Sequence, residues 1–351
     1  MTNHSIALIP GDGIGTEVLP AAREVIEAVG KTHGVAFTYE QFDWSCERYL
    51  RLGSMMPEDG LERLRRHDAI LLGAVGYPGV PDHVSLWGLL IPIRRAFNQY
   101  VNLRPIRVFD GLPSSVRAAT PGDVDFVVVR ENTEGEYSEI GGRTNRGCPD
   151  ETAVQQAVFT RPGVTRVLDF AFGLAERRGG RLTSATKSNG MVHTMPFWDE
   201  LVAERSAEYP AVGWSQEHID ALAAKFVLDP ASFDVVVASN LFGDILSDLA
   251  AAMAGGIGIA PSANLNPGGE YPSMFEPVHG SAPDIAGQGV ANPIGAIWSA
   301  AMMLDHLGHP RAAADITDAI ARVLATTSVR TRDLGGSAST TEFTTEVLRH
   351  L

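Results

Sequence analysis

A chain of 351 residues exceeds what one ordinary core holds and suits two domains, and its 44% hydrophobic and 20% charged residues exclude an intrinsically disordered protein. A net charge of −14 excludes a nucleic-acid or anionic-membrane partner, since both need a basic face; an anionic ligand would have to meet a local cluster of arginines. Cys46 and Cys148 make no CxxC motif or disulfide framework, Met1 to Pro10 shows no leader pattern, and no apolar run approaches the ~20 residues of a membrane span, so the expected location is the cytoplasm.

Ser5 to Ile9 is a compact apolar strand, followed by Gly11-Asp12-Gly13-Ile14-Gly15 and a helical pattern over Thr16 to Val29. With Glu40 closing the next strand, Val35 to Tyr39, this opening imitates a dinucleotide-binding turn, but the glycines are two apart throughout and Asp12 would face the pyrophosphate. A glycine-rich strand-to-helix turn is the safer reading. Leu61 to Arg66 reads as a helix. Ala69 to Leu72 reads as a strand buried on both faces, ending at the loop Gly73-Ala74-Val75-Gly76-Tyr77-Pro78-Gly79, where α/β folds place ligand crevices.

Trp87 to Asn98 reads as a helix carrying Arg94 and Arg95, with Asn102-Leu103-Arg104-Pro105 after it. The buried strand Asp125 to Val129 delivers Arg130 through Tyr137; Ser138 to Asp150 reads as an exposed loop or arm, and Thr152 to Phe159 as a strand. A helix over Val164 to Arg178, a strand over Arg181 to Thr186, Lys187, a helix through about Ala203, and a helix over Trp214 to Ala224 containing Asp220 complete the middle of the chain. Phe233 to Ala238 is a buried strand that hands over to a helix beginning near Asn240. Gly255 to Gly269 reads as glycine-rich and turn-prone, Phe275 to Gly287 as a polar loop, and Asn292 to His306 and Ala312 to Thr326 as helices. Strands and helices alternate, so the expected class is α/β with a mixed or parallel sheet and no internal repeat.

Asp244 and Asp248 stand at i and i+4 on the Asn240 helix, one turn apart on one face, where both could hold one hard divalent cation. In isolation the pair equally fits a first-turn acid favoured by the helix dipole and a solvated surface charge. Arg94, Arg104 and Arg130 each adjoin a turn, and three converging guanidinium forks would suit a small dicarboxylate; singly, each fits a surface ion pair. Lys187 and Tyr137 could share base and acid work, or be a solvated lysine and an amphipathic surface tyrosine. His279 and Asp284 lie in one loop that could meet an adenosine. No nucleophile elbow, zinc spacing or P-loop is present.

Taken together, these residues resemble the β-decarboxylating dehydrogenase family of isocitrate, 3-isopropylmalate, homoisocitrate, tartrate and D-malate dehydrogenases. The likeness runs from Ile9-Pro10-Gly11-Asp12-Gly13-Ile14-Gly15, through the signature stretch Asn240 to Ile259, to Glu276-Pro277-Val278-His279-Gly280-Ser281-Ala282-Pro283-Asp284-Ile285-Ala286-Gly287. It implies a two-domain isopropylmalate/isocitrate dehydrogenase-like fold with a mixed sheet, not a Rossmann fold. Residues 1 to 98 and 250 to 351 would form a large discontinuous cofactor domain, and residues 99 to 249 the second. An arm near Tyr137 to Ala157 would join two subunits of a homodimer with shared active sites.

The resemblance implies substrate-carboxylate binding by Arg94, Arg104 and Arg130, and metal binding by Asp244 and Asp248 of one subunit with Asp220 of the other. Lys187 would help remove the hydroxyl proton, Tyr137 would protonate the enol carbon, and Asp220 also counts among the catalytic residues. Gly73, Ala74, Val75, Glu276, His279, Gly280, Ser281, Ala282, Asp284, Ile285 and Asn292 would bind the cofactor. The implied reaction removes a hydride from C2 and a β-carboxylate as carbon dioxide, with Mg²⁺ or Mn²⁺ as Lewis acid. Carboxylate ligands suit such a hard ion.

Asp284 can accept both ribose hydroxyls but would repel a 2′-phosphate, and Ile285 offers no positive partner, so NAD is expected over NADP. Isocitrate enzymes place Ser and Asn six and four residues before the arginine matching Arg94; this chain has Gly88 and Leu90. Isopropylmalate enzymes often place an acidic residue where Trp87 stands here, and a bulky Trp shrinks the pocket. Residues 43 to 47, 55 to 60 and 81 to 88 look most like the tartrate and D-malate dehydrogenases, which handle four-carbon 2-hydroxy dicarboxylates and imply a K⁺ ion with no ligands assigned. The alternatives are a 3-isopropylmalate dehydrogenase, a Rossmann hydroxyacid dehydrogenase without a metal, and a non-catalytic dicarboxylate-binding protein.

Overall fold

Strands that carry apolar side chains on both faces need cover on both faces, and the structure places them accordingly. It is a computed structural model that describes every residue except Met1, Pro113, Arg117 and Ala118. The strands are β1 (Thr2–Gly11), β2 (Val35–Gln41), β3 (Ala69–Ala74), β4 (Val101–Arg107), β5 (Asp125–Glu131), β6 (Gly141–Thr144), β7 (Thr152–Gln155), β8 (Arg181–Thr186), β9 (Gly213–His218), β10 (Val235–Ala238), β11 (Pro261–Leu265) and β12 (Ser273–Pro277). Among the described residues they make a ten-stranded sheet in the order β2-β1-β3-β12-β11-β4-β5-β10-β8-β9, and a separate β6-β7 ribbon.

Both wings of the sheet are parallel, and its centre is antiparallel. β2, β1, β3 and β12 run parallel on one side, and β5, β10, β8 and β9 on the other. Between them the pairs β12–β11, β11–β4 and β4–β5 are antiparallel. Strands from residues 1 to 98 and 250 to 351 thus lie on one side of the β11–β4 pair, and those from 99 to 249 on the other. Alternate side chains of each strand face opposite layers. Ile6, Leu8, Ala69 and Leu71 join a large core with the helices Gly15–His33, Ile294–His306 and Pro310–Thr326. Ala7, Ile9, Ile70 and Leu72 face a smaller core built on Trp44, Leu89, Ile93 and Phe97.

Several expectations change. Trp214 to His218 is not the start of a helix but edge strand β9, and the helix Ile219–Leu228 begins one residue before Asp220. The polar stretches 102 to 105, 255 to 269 and 275 to 287 each contribute a central strand: β4, β11 and β12. The 87 to 98 helix starts earlier and contains a π turn over Leu86–Leu90, with the Ile91 N–H reaching back to the Leu86 carbonyl. The stretch read as an exposed loop contributes β6 of the β6-β7 ribbon, exposed along both strands, and the strand read over Thr152 to Phe159 stops at Gln155. Among the described residues, no helix is long and apolar enough to cross a membrane.

Candidate active site

The arginine–carboxylate cluster is organised by the start of the helix Asn240–Ala254. Its N-cap, Ser239, makes no cap bond to its own helix, and the Glu136 carboxylate does that work from another loop. Ser239 Oγ donates to one Glu136 oxygen at 2.7 Å and the Leu241 N–H to the other at 3.0 Å, placing a negative charge on the positive helix end. This seats Tyr137 beside the helix. Gly243 is needed one turn in, because a Cβ there would sit 2.6 Å from Arg130 Cβ.

On that base the three predicted arginines converge. Arg130, 2% exposed, donates from Nε and Nη2 to Asn240 Oδ1 at 3.1 and 2.8 Å and from Nη1 to Asp244. Arg104 reaches Ser247 Oγ at 2.6 Å, Asp248 at 3.2 Å and Asp244 at 3.4 Å, while its Nε donates to Asn102 at 2.8 Å. Arg94 donates to Glu276 at 2.8 Å, and its Nε is buried with no partner among the described residues. Tyr137 donates its hydroxyl to the other Asp244 oxygen at 2.8 Å, with the Arg130 guanidinium 5.5 Å from its ring centroid.

A buried polar chain ties the arginines together. Asn102 donates to Asn264 Oδ1 at 2.9 Å, and Asn264 donates to Glu276 at 2.7 Å, so Arg104, Asn102, Asn264, Glu276 and Arg94 form one hydrogen-bonded line across β4, β11 and β12. Burial pushes the Arg130 guanidinium down, and neighbouring Arg104 adds to it; burial does the same to Arg104. Burial would raise the Asp244 carboxyl, but Arg130, Arg104 and the Tyr137 hydroxyl outweigh it and hold the carboxyl below its usual range. Burial, then Asp244, pushes the Tyr137 phenol up, so it keeps its proton at neutral pH.

Lys187 and Asp220 lie elsewhere. Lys187 Nζ donates to Asp220 at 2.8 Å, and the Asp220 side chain is 69% exposed. Among the described residues neither shares a hydrogen bond or ion pair with the arginine cluster. No three His, Cys, Asp or Glu residues gather to hold a metal among the described residues, so Asp220, Asp244 and Asp248 are not assembled within one chain. Asp244 and Asp248 do share one face, and their hard oxygen donors fit Mg²⁺ or Mn²⁺.

The 275 to 287 loop borders a cavity of about 480 Å³ lined by Ile14, His279, Asp284, Ile285, Asn292, Arg332 and Asp333. Among the described residues His279 Nε2 is buried without a partner, an orphan that a ligand entering this cavity could satisfy. Asn292 donates to Asp333 at 2.8 Å and accepts the Ile294 N–H at 3.0 Å; Asp284 is exposed. Val75, Gly76, Ser281 and Pro283 line a neighbouring cavity of about 590 Å³. The Ser281 carbonyl accepts the Ile14 N–H at 2.9 Å, an approach allowed by glycine at 13, where φ is +54° and a Cβ would lie 2.0 Å from that carbonyl.

Gly73 and Ala74 hold the turn instead of lining a cavity. Gly73 packs on the Pro10 and Gly15 backbone, and the Ala74 carbonyl accepts the Asp12 N–H. The Asp12 carboxylate is engaged by the amides of Cys46 and Gly76, which removes it from any phosphate role. Gly280 is exposed, and Ala282 takes a left-handed φ of +39°. Leu90 packs partly on the smaller core, and Trp87 is half-buried under Arg95.

A family model described as isocitrate/isopropylmalate dehydrogenase matches residues 5–347. The chain belongs to that family. It is 56% identical to a tartrate dehydrogenase/decarboxylase of Pseudomonas putida over 97% of this chain and 96% of that protein. It is equally 56% identical to a D-malate dehydrogenase (decarboxylating) of Escherichia coli (strain K12), over 97% of this chain and 96% of that one. Its fold is that of the solved isocitrate dehydrogenase from Methylococcus capsulatus, with a TM-score of 0.88, 34% identity and 99% coverage of both chains. This isocitrate/isopropylmalate dehydrogenase family enzyme therefore has the mixed-sheet architecture expected of it.

Sequence reading missed the residues that aim the arginines. Asn102, Asn264, Asn240 and Ser247 are ordinary polar residues in a sequence, and only their burial marks them. Arg332 was also missed: the expectation of NAD weighed Asp284 and Ile285, whereas the structure also sets a cation in the wall of the Asp284 cavity.

Proposed function

We propose that the enzyme oxidises and decarboxylates a four-carbon 2-hydroxy dicarboxylate, D-malate to pyruvate and carbon dioxide, with NAD and Mg²⁺ or Mn²⁺, and accepts tartrate as an alternative or additional substrate. The observation that carries this reading is the pairing of Arg104 and Arg130 with Asp244 and Asp248, with Arg94 tied to Arg104 through Glu276, Asn264 and Asn102. In the structure the three cations are matched by Asp244, Asp248 and Glu276. With a divalent cation held by the aspartates, the forks are left for the two substrate carboxylates. Bound NAD supplies the hydride acceptor, and the metal supplies Lewis-acid stabilisation of charge on the substrate oxygen.

The side chains then divide the proton work. Lys187, arriving with Asp220 from the partner subunit, takes the C2 hydroxyl proton as the hydride leaves C2. Loss of the β-carboxylate leaves an enol, whose C3 receives the proton that Tyr137 holds against Asp244. Asp284 and Asn292 in the 480 Å³ cavity are the groups for the adenosine, with the His279 ring beside them. Trp87 narrows the pocket beyond Arg94, which favours four-carbon acids over 3-isopropylmalate. We further propose that residues 1 to 98 with 250 to 351, and residues 99 to 249, are two domains flanking this cleft, that the β6-β7 arm joins a cytoplasmic homodimer, and that K⁺ assists.

The test is NAD reduction with Mn²⁺ and K⁺ on D-malate, L-tartrate, meso-tartrate, 3-isopropylmalate and isocitrate. D-malate or a tartrate is expected to give the highest kcat/KM. A dominant rate on 3-isopropylmalate would overturn the role of Trp87. Full activity after exhaustive EDTA treatment would remove the metal from the mechanism, and metal-dependent binding of substrate without turnover would make the chain a binding protein.

A further inference from the structure

Arg95 follows the substrate arginine but serves different groups. Its Nη2 donates to the Tyr137 carbonyl at 2.9 Å, its Nη1 pairs with Glu139 at 3.0 Å, and its guanidinium lies 4.8 Å from the Trp87 ring centroid. The π turn at Leu86–Leu90 makes this alignment. In a uniform α-helix residues eight apart diverge by roughly 80° around the axis; one inserted residue restores the near-heptad phase, so Trp87 and Arg95 share a face.

The contact joins the two halves of the chain at the point where the acid sits. Around Tyr137, Gly135 pairs with Val158, Glu136 caps the Asn240 helix, and Ser138 Oγ donates to the Gln156 carbonyl. These hold the neighbours of Tyr137 from within residues 99 to 249. Arg95 holds the Tyr137 carbonyl from the other half. Glu139 is 70% exposed, so its ion pair contributes little, whereas a charged donor on a half-buried carbonyl contributes more.

We infer that Arg95 is a positioning residue that fixes Tyr137 for proton delivery while pinning the Trp87 wall, so that one side chain links acid placement to substrate size. The inference rests on the proposed roles of Tyr137 and Trp87 and extends them to a residue that touches neither substrate nor cofactor.

The test is a double-mutant cycle on the full-length enzyme, reading kcat and KM for D-malate, NAD and 3-isopropylmalate. Arg95→Met keeps an apolar stem over Trp87 and removes the donors. It is expected to lower kcat on D-malate at least about tenfold with KM for NAD unchanged, and to raise the ratio of 3-isopropylmalate to D-malate turnover. On a Tyr137→Phe background the same change is expected to alter kcat less than about twofold, because the positioned acid is gone. If Arg95→Met melts early, Arg95→Leu, which likewise keeps an apolar stem and removes every donor, carries the same comparison. Equal falls on both backgrounds, or an unchanged kcat, overturn the role of Arg95 alone; a wild type inactive on every 2-hydroxy dicarboxylate overturns the site reading and the inference together.

Discussion

The two halves of the proposed site are built in opposite ways. Arg94, Arg104, Arg130 and Tyr137 are locked by one another and by buried asparagines, down to a 2% exposed Arg130. Lys187 and Asp220 form an isolated pair with a 69% exposed carboxylate. Self-sufficient burial on one side and an exposed acid–base pair on the other mean that the first half is finished within a chain, while the second is a tool presented outward. Two such surfaces meeting about a two-fold axis would complete each other, because an isologous interface supplies every contact twice.

The sharpest way to break this contrast is to divide the damage. Lys187→Ala and Asp244→Asn are each expected to cut turnover by more than about a thousandfold, and refolding them together should restore about a quarter of wild-type activity, since half the dimers are mixed and each carries one intact site. Absence of recovery would put both residues in one chain's site. Next in size, Arg130→Lys should lower kcat/KM by about a hundredfold, because an ammonium cannot serve Asn240 and Asp244 as a fork does. A near-normal rate in steady-state assays would show that the built half tolerates disorder.

Metal is expected to act on the built half. Mn²⁺ should raise the Tm of wild type by a few degrees and leave Asp244→Asn unmoved in the same scans. A smaller effect concerns the cofactor cavity. Burial lowers the His279 imidazole from its reference 6.5, so the unfolded chain binds the proton first; stability is retained above that value and lost as pH falls through it. His279→Gln should therefore lose less Tm than wild type between about pH 7.5 and 5.5, with equal losses counting against the assignment. Smallest is a thiol titration. Burial, then Asp12, pushes the Cys46 thiol up to about 12, so native enzyme should react at exposed Cys148 alone, with Cys46 appearing on denaturation.

What was legible in the chain follows from the same contrast. β3, β5 and β10 announce themselves because they are apolar on both faces. β4, β11 and β12 do not, because Asn102, Arg104, Asn264 and Glu276 occupy strand positions to serve the site, and function there replaces the apolar pattern. β9 imitates a helix because an edge strand exposed along most of its length carries no strict alternation, and the helical spacing of Ile219, Leu222, Ala223 and Phe226 follows it directly. The arginines were singled out by their place at turns and the aspartates by their i, i+4 spacing, and the resemblance supplied their roles; how they gather was not deducible from spacing, since Arg94 is linked to Arg104 only through the central strands. The π turn left no sequence mark, yet it decides where Trp87 points.

The parallel pairing of β3 with β12 also sets a clock on synthesis. β3 needs β12 as its second neighbour, and roughly 200 residues separate them in the chain, about 10 to 40 s of elongation at 5 to 20 residues per second. Throughout that interval the nascent chain carries one fully apolar strand with a bare edge, while residues 99 to 249 can already close their own wing. Expression yield in this enzyme should therefore respond to whatever shields β3 before its partner emerges, such as slower growth temperature or a holdase, more than to changes in the stability of the finished fold.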